Sequence, residues 1–354
     1  MKYVIDLPKK LLEKIRGIIN SGEYESINEF IVTALENQIT LEGSEIVEED
    51  LFPSTLKMPK ISPPQQVQKR DQKQLFSWLT LPDNTNIKCY PTPDLNSLAW
   101  ENSDYNKLWL WGQINRLFPV KVGLRILAHM QQSENDYISL SKFKSNASEI
   151  AREFGLQLKS IDGQLGRKRD SLVSIGLPIG SDDEKSEARY KSHFLASIRS
   201  DNVLDGTMAR LKFVNIQETE NEDYLIGLTE EGLNFTLIQN PILDENINSE
   251  RTLSDDEIEF YLNHVKENVP EGLNPIQNIL TIVKNGAKSI DEIDIEINKI
   301  KPEWTKSLVS THRAGALGRM IELGLLKKTK KGIYVSYSLS DKGNYYLESL
   351  ELNG

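Results

Sequence analysis

Hydrophobic residues follow first a two-residue period and then a helical period within the first forty positions. Apolar positions 3, 5 and 7 alternate with Lys2, Val4 and Asp6, which predicts a short strand. Pro8 then begins an amphipathic helix that ends at Ser21-Gly22, and a capping box from Ser26 to Glu29 begins a second helix. So small a segment cannot bury a core alone, so we expect it to pair with a second copy.

This segment, VIDLP followed by KKLLEKIRGIINSGEYESINEFIVTALENQI, resembles the ribbon-helix-helix family over residues 1–40. The resemblance implies a homodimer whose paired strands form an antiparallel ribbon that enters the DNA major groove. Lys2 lies on the outward face and is a candidate DNA contact. Asp6 on the same face would repel phosphates, so the module either dimerises and contacts DNA weakly or serves dimerisation alone.

Residues 41–104 lack a sustained period and contain seven prolines, which is typical of a linker. A possible helix at 66–79 carries aromatic residues. We expect these aromatics to dock on a neighbouring part of the same protein, with a protein partner as the alternative.

Apolar density returns in a predicted central domain, residues 105–245. Two helices, up to Phe118 and from Val122, are followed by a pattern with Ala151 and Gly155 that indicates a helix-turn-helix. Its second helix, at about 159–173, would display a set of polar candidates for DNA contact: Ser160, Gln164, Arg167, Lys168 and Arg169. Segments 175–179 and 189–196 would then form a wing hairpin.

The predicted C-terminal domain, residues 246–354, has the clearest pattern. Helices are predicted at 275–283, 289–300 and about 303–323, the last one ending at Gly324. A lysine-rich turn at 327–332 and a strand at 333–339 follow. This run resembles the winged-helix family. The resemblance implies a recognition helix and a basic wing, with these candidate DNA contacts: Thr311, Arg313, Arg319, Lys327, Lys328, Lys330 and Lys331.

A weak internal repeat links the two domains. LTEEG at 228–232 resembles LSDKG at 339–343, and each follows a predicted strand. The earlier hairpin tip is acidic, at Glu218, Glu220, Glu222 and Asp223, whereas the later one is lysine-rich. Because phosphate repels an acidic tip, only the later hairpin is expected to contact DNA, and the earlier one is structural or faces a protein.

The net charge of −10 argues at first against nucleic acid. However, residues 301–342 hold nine basic and three acidic residues, and residues 141–175 hold seven basic and four acidic ones. Charge is therefore segregated, and both basic regions coincide with the helix-turn-helix-like patterns.

Motifs for catalysis, cofactors and metals are missing from the sequence. One cysteine and four scattered histidines provide neither a disulfide nor a zinc site, and no phosphate-binding glycine loop occurs. The acids at 182–183 and 255–257 follow serines and are expected to be helix caps and solvated loops rather than metal ligands. Trp109 and Trp111 are expected in the core, and His312 is either a DNA contact or a packing residue.

No stretch is apolar enough to span a membrane, and an acid at position 6 argues against a signal peptide, so we expect a cytoplasmic protein. The expected fold is mostly α with short β: an N-terminal ribbon-helix-helix, a linker and two winged-helix-like domains. The expected function is non-enzymatic binding of double-stranded DNA by a homodimer, without cofactor, as a prokaryotic-type transcriptional regulator. The alternative is a scaffold or adaptor of a multiprotein complex whose winged helices contact proteins, and a nuclease with an unrecognised site ranks third.

Overall fold

The computed structural model describes residues 77–83, 87–93, 109–110, 112, 114–134, 136–168, 171–198, 204–218, 224–331 and 334–351. All of them belong to one compact unit, Arg70–Gly354. The predicted ribbon-helix-helix at 1–40, most of the linker and most of the possible helix at 66–79 lie outside the described residues.

The described chain is mostly helical, with a few short antiparallel strands. Its helices are α1 (Phe118–Glu134), α2 (Leu140–Gln164), α3 (Asp183–Arg189), α4 (Thr207–Arg210), α5 (Glu230–Leu237), α6 (Asp255–Asn268), α7 (Pro270–Lys284), α8 (Ile290–Ile300), α9 (Lys306–Glu322) and α10 (Asp341–Glu351), with π-helical turns at Tyr190–Phe194 and Pro241–Glu245. Its strands are β1 (Ile138–Ser139), β2 (Ser197–Ile198), β3 (Leu204–Asp205), β4 (Val214–Glu218), β5 (Tyr224–Leu228), β6 (Leu326–Lys331) and β7 (Tyr334–Leu339).

Helix α1 lies at the centre of the core, because 13 of its 17 residues are buried. Two of these residues are charged. Lys121 forms an ion pair of 2.8 Å with Glu257, and neither side chain is exposed. Arg125 pairs with Asp244 at 2.6 Å. Burial lowers the pKa of Lys121 to about 8, against the opposing effect of Glu257. These two ion pairs hold the start of α6, through Glu257, and the segment between α5 and α6, through Asp244, against α1.

The acids that follow serines lie at helix N-termini, as the sequence predicted, and two of them, Asp182 and Glu257, take part in caps. Ser254 accepts a hydrogen bond from the Glu257 amide, and the Glu257 carboxylate accepts one from the Ser254 amide. Ser289 and Glu292 form the same capping box at the start of α8. Asp182 caps α3 by accepting from the Lys185 amide. Each cap satisfies amides that the first helical turn leaves unpaired.

The predicted helix-turn-helix at 148–173 is wrong. Helix α2 continues through Gly155 and ends only at Leu165-Gly166. Gly155 serves close packing instead of a turn, because a Cβ there would lie 2.5 Å from the Ile179 side chain. The predicted first helix of the central domain is also not found at residues 109–110, 112 and 114–117, which are irregular.

The predicted wing hairpin at 175–179 and 189–196 is wrong as well. Residues 183–194 form α3 and a π-helical turn instead. The Tyr190 hydroxyl is buried and donates to the Pro119 carbonyl oxygen, which fixes this turn on the N-terminus of α1. The hairpin of this region is β4–β5, whose second strand and following helix match the prediction.

In the C-terminal region the three predicted helices are confirmed as α7, α8 and α9, with end points shifted by up to five residues. The hairpin that follows is also confirmed. The lysines, however, lie within strand β6 and not in a turn, since all six β6 residues pair with β7.

The weak sequence repeat corresponds to a repeated structural motif. Before each hairpin one residue adopts a left-handed conformation, Lys212 (φ 57°) in the first case and Gly324 (φ 70°) in the second. The next amide, of Phe213 or Leu325, donates to the methionine carbonyl five residues earlier, at 2.9 and 2.8 Å. Helices α4 and α9 therefore end in the same hydrogen-bonded turn, and the chain enters a strand directly after each of them.

The residue after each hairpin makes the same two hydrogen bonds in both cases. After the first hairpin the Thr229 hydroxyl donates to the Lys212 carbonyl and accepts from the Gly232 amide. After the second, the Ser340 hydroxyl donates to the Gly324 carbonyl and accepts from the Gly343 amide. A Cβ on either glycine would lie 1.8 or 2.1 Å from a backbone oxygen, so only glycine fits. We call β4–β5 the first hairpin and β6–β7 the second hairpin.

Candidate nucleic-acid interface

The second hairpin has one face made only of side chains that donate hydrogen bonds. Register pairs Lys327 with Ser338, Thr329 with Ser336 and Lys331 with Tyr334. Opposed residues of an antiparallel pair point to the same side, so these six share one face, which we call the outer hairpin face. All six are exposed. The opposite face packs inward through the buried residues Leu326 and Tyr337.

Charge on the second hairpin has one sign. Its described strands contain four lysines and no acid. Lys327, Lys330 and Lys331 are exposed and have no ion-pair or hydrogen-bond partner among the described residues. Lys328 is only partly exposed and lies opposite Tyr337 on the inward side. Lys327 and Lys331 are thus available to an anionic ligand on the outer hairpin face, whereas Lys330, opposite Val335, is exposed on the other face.

The corresponding face of the first hairpin is covered by the chain itself. The Tyr90 amide donates to the Leu228 carbonyl at 2.7 Å, and Asn215 donates to the Pro91 carbonyl. The Tyr90 ring stacks on Tyr137, with ring centroids 3.5 Å apart, and both rings lie against Gly227. The Asn215–Gly227 part of this face is therefore covered, whereas its counterpart on the second hairpin, Lys327 and Ser338, is exposed.

Helix α9 exposes only part of the surface expected of a recognition helix. Lys306, Ser307 and Leu308 in its first turn are exposed, and so is Ala314. Thr311 is half-buried, and its hydroxyl donates to the Ser307 carbonyl. From residue 315 onward the helix is largely covered by the segment that precedes α1, described at 109–110, 112 and 114–117.

Two arginines of α9 that the sequence proposed as DNA contacts are buried. Arg319 is 1% exposed and donates to the Ile114 carbonyl, and burial lowers its pKa. Arg313 pairs with Asp294 at 2.6 Å and also donates to Ser310. Both guanidinium groups are engaged inside the protein, so we remove them from the proposed interface.

His312 is a packing residue. Its ring stacks on Trp304 with centroids 4.3 Å apart and lies edge-on to Trp109, which is buried as the sequence predicted. Burial lowers the pKa of His312 to about 4, so the ring is neutral at pH 7. Of the two roles that the sequence left open, the structure supports packing. Trp111 lies outside the described residues.

The candidates around α2 do not form one basic surface. Ser160 and Gln164 are exposed on the last turns of α2, and Lys168 is exposed beyond its end. The Arg167 side chain, in contrast, is 3% exposed, pairs with Asp162 at 2.9 Å and donates to the carbonyls of residues 248 and 249. Arg167 therefore stabilises the fold and is not part of the proposed interface. Lys2 and Arg169 lie outside the described residues.

Sequence reasoning missed the hydroxyl residues that alternate with the lysines. The signal was present in the two-residue period of Lys327, Thr329 and Lys331, and again in Tyr334, Ser336 and Ser338. Treating the lysines as a turn concealed it, because a turn has no faces. The covering of the first hairpin by residues 87–93 had no local sequence signal, since it joins positions more than 100 residues apart.

Within the described residues, no group of three histidine, cysteine or acidic side chains is arranged to hold a metal ion. None of the described helices combines the length and apolar character that crossing a membrane requires. Comparisons of the chain with protein-family models, with curated proteins and with solved structures find no match.

Proposed function

We propose that this protein is a non-enzymatic DNA-binding protein that contacts the phosphate backbone through the outer hairpin face. The carrying observation is that face itself, with six exposed lysine, serine, threonine and tyrosine side chains and no acid. Ammonium and hydroxyl groups are among the donors that proteins use on phosphate oxygens. The two winged-helix-like domains belong to this proposal, and the strand order β1–β5–β4 and the repeated motif support them.

The contact serves positioning more than base reading. The outer hairpin face has no Arg, Asn, Gln, Asp or Glu, so lysine and the hydroxyl residues are its only side chains that can pair with base edges in the major groove. Most of α9 is covered, which leaves its first turns, with Lys306, Ser307 and Thr311, for any sequence preference. We propose a homodimer joined by residues 1–40, located in the cytoplasm, with transcriptional regulation as its role.

The test is the salt dependence of duplex binding. The variant changes the three exposed lysines of the second hairpin to Gln: Lys327 and Lys331 on the outer hairpin face, and Lys330 on the opposite face. It should weaken binding to all duplex sequences alike and lower the slope of log affinity against log salt by about two, one for each lysine of the outer hairpin face. A matched control changes three exposed lysines on other elements, Lys185, Lys266 and Lys299, with the same loss of charge. The control should keep the parental slope.

Strand β6 is an edge strand, where lysines also oppose pairing between molecules. Light scattering must therefore show that the triple variant has the parental mass before its affinity is compared. A variant with parental mass, affinity and slope would contradict the proposal and favour the adaptor function, in which these domains contact proteins.

A further inference from the structure

Tyr334 is a large ring on the outer hairpin face with no described residue covering it. It is 76% exposed and is the first residue of β7, opposite Lys331. Burying an aromatic ring stabilises a protein, so an uncovered one in a strand forgoes that gain. The remaining members of this face are short hydroxyl residues and one further lysine, so none of them is bulky enough to obstruct a flat ligand beside the ring.

The neighbours of Tyr334 suit a nucleotide. Directly opposed residues of an antiparallel pair have Cβ atoms about 5 Å apart, so the Lys331 ammonium is within reach of the backbone phosphate of a nucleotide whose base lies on the ring. Thr329 and Ser336 form the next pair and can donate to the following phosphate. The face therefore combines a stacking ring with a row of phosphate donors.

A duplex cannot use the ring in this way, because each base already stacks on its neighbours. An unpaired base has a free aromatic face, and stacking on it tolerates any base. This property agrees with a surface that has no Arg, Asn or Gln, whose side chains can each make two hydrogen bonds to one base edge. We propose that the outer hairpin face binds single-stranded nucleic acid, with one unpaired base stacked on Tyr334. The inference rests on the proposed function and specifies its ligand.

The experiment compares binding of the full chain to a thymidine oligonucleotide and to a blunt duplex of equal length, by fluorescence anisotropy at fixed salt. Tyr334→Ala should lower affinity for the oligonucleotide about fivefold or more, as expected for loss of one stacked base, and lower duplex affinity by a smaller factor, because the duplex loses only the hydroxyl contact. Tyr334→Phe keeps the ring and removes the hydroxyl, so it should lower both affinities equally and by less than Tyr334→Ala lowers oligonucleotide affinity. Tyr345→Ala is the matched control, because Tyr345 on α10 is also 76% exposed, and it should change neither affinity.

The outcomes separate the two proposals. If the parent binds duplex through the hairpin lysines but Tyr334→Ala leaves oligonucleotide affinity unchanged, the stacking inference is overturned and the proposed function stands. An equal loss on both probes also overturns the inference, because the ring then contributes a contact common to both. If the parent binds neither probe, the proposed function fails first.

Discussion

The Cβ position of Gly315 lies 2.0 Å from the carbonyl oxygen of Gly112, so the backbones of α9 and of the segment before α1 are in direct contact. This contact decides what α9 does. A helix whose face is occupied by another backbone packs in the core, and only its first turns remain for a ligand.

Gly315→Ala should destabilise the protein by about 1–3 kcal/mol or more, because the new methyl group meets backbone atoms that cannot rotate away. Unfolding in urea, followed by circular dichroism, measures the change. Gly163→Ala in α2 is the matched control: its Cβ meets nothing within 4 Å, and helix propensity should raise stability by about 0.5–1 kcal/mol. Equal stability of Gly315→Ala and the parent would show that the contact is absent.

Arg319→Met should reduce stability and leave DNA binding unchanged. The variant removes the donor to the buried Ile114 carbonyl, which costs about 1–3 kcal/mol. Because Arg319 is 1% exposed, the slope of affinity against salt should equal that of the parent. The triple lysine variant of the hairpin should show the reverse pattern, a changed slope at parental stability. If the slope of log affinity against log salt is lower for Arg319→Met than for the parent, Arg319 does contact DNA.

Stability should fall at mildly acidic pH through His312. Its pKa is about 4 in the folded protein and 6.5 when unperturbed, so the unfolded chain binds more protons between these values. The stabilisation is therefore complete above pH 6.5 and is lost as the pH falls to 4. Allowing for screening by water, we expect a loss on the order of 2 kcal/mol.

The measurement for His312 is the difference in unfolding free energy between the parent and His312→Gln at several pH values. Groups other than His312 cancel in that difference, since both proteins contain them. A difference that stays constant from pH 6.5 to 4 would show that the ring is not kept neutral by burial.

Phe30→Asp should convert the dimer into a monomer. In the ribbon-helix-helix proposal Phe30 lies on the apolar stripe of the second helix, and an unpaired charge in a buried interface costs several kcal/mol. Light scattering of the full chain at micromolar concentration measures the mass. A monomeric parent protein would count against the dimer.

Local signals in the sequence were sufficient for the C-terminal helices. Ser289 and Glu292 form a capping box that needs no distant partner, and Gly324 adopts the left-handed conformation that ends α9. The repeat of LTEEG and LSDKG has its cause within one hairpin, because the hydroxyl and the glycine three residues later both meet the backbone just before the same hairpin. The capping box and the C-terminal glycine depend on neighbouring residues alone, so the sequence was enough to predict them.

The sequence by itself determined the helices α7, α8 and α9 and the lysine-rich second hairpin, because periodicity and caps act within a few residues. Tertiary structure decided which of these surfaces remain open. Arg319 and Lys331 are both cations in a basic region. Arg319 is buried and donates to the carbonyl of Ile114, more than 200 positions earlier, whereas Lys331 is exposed. The physical reason is that burial depends on packing between segments that are distant in the sequence. The hydrophobic pattern around one residue does not indicate which distant segment packs against it.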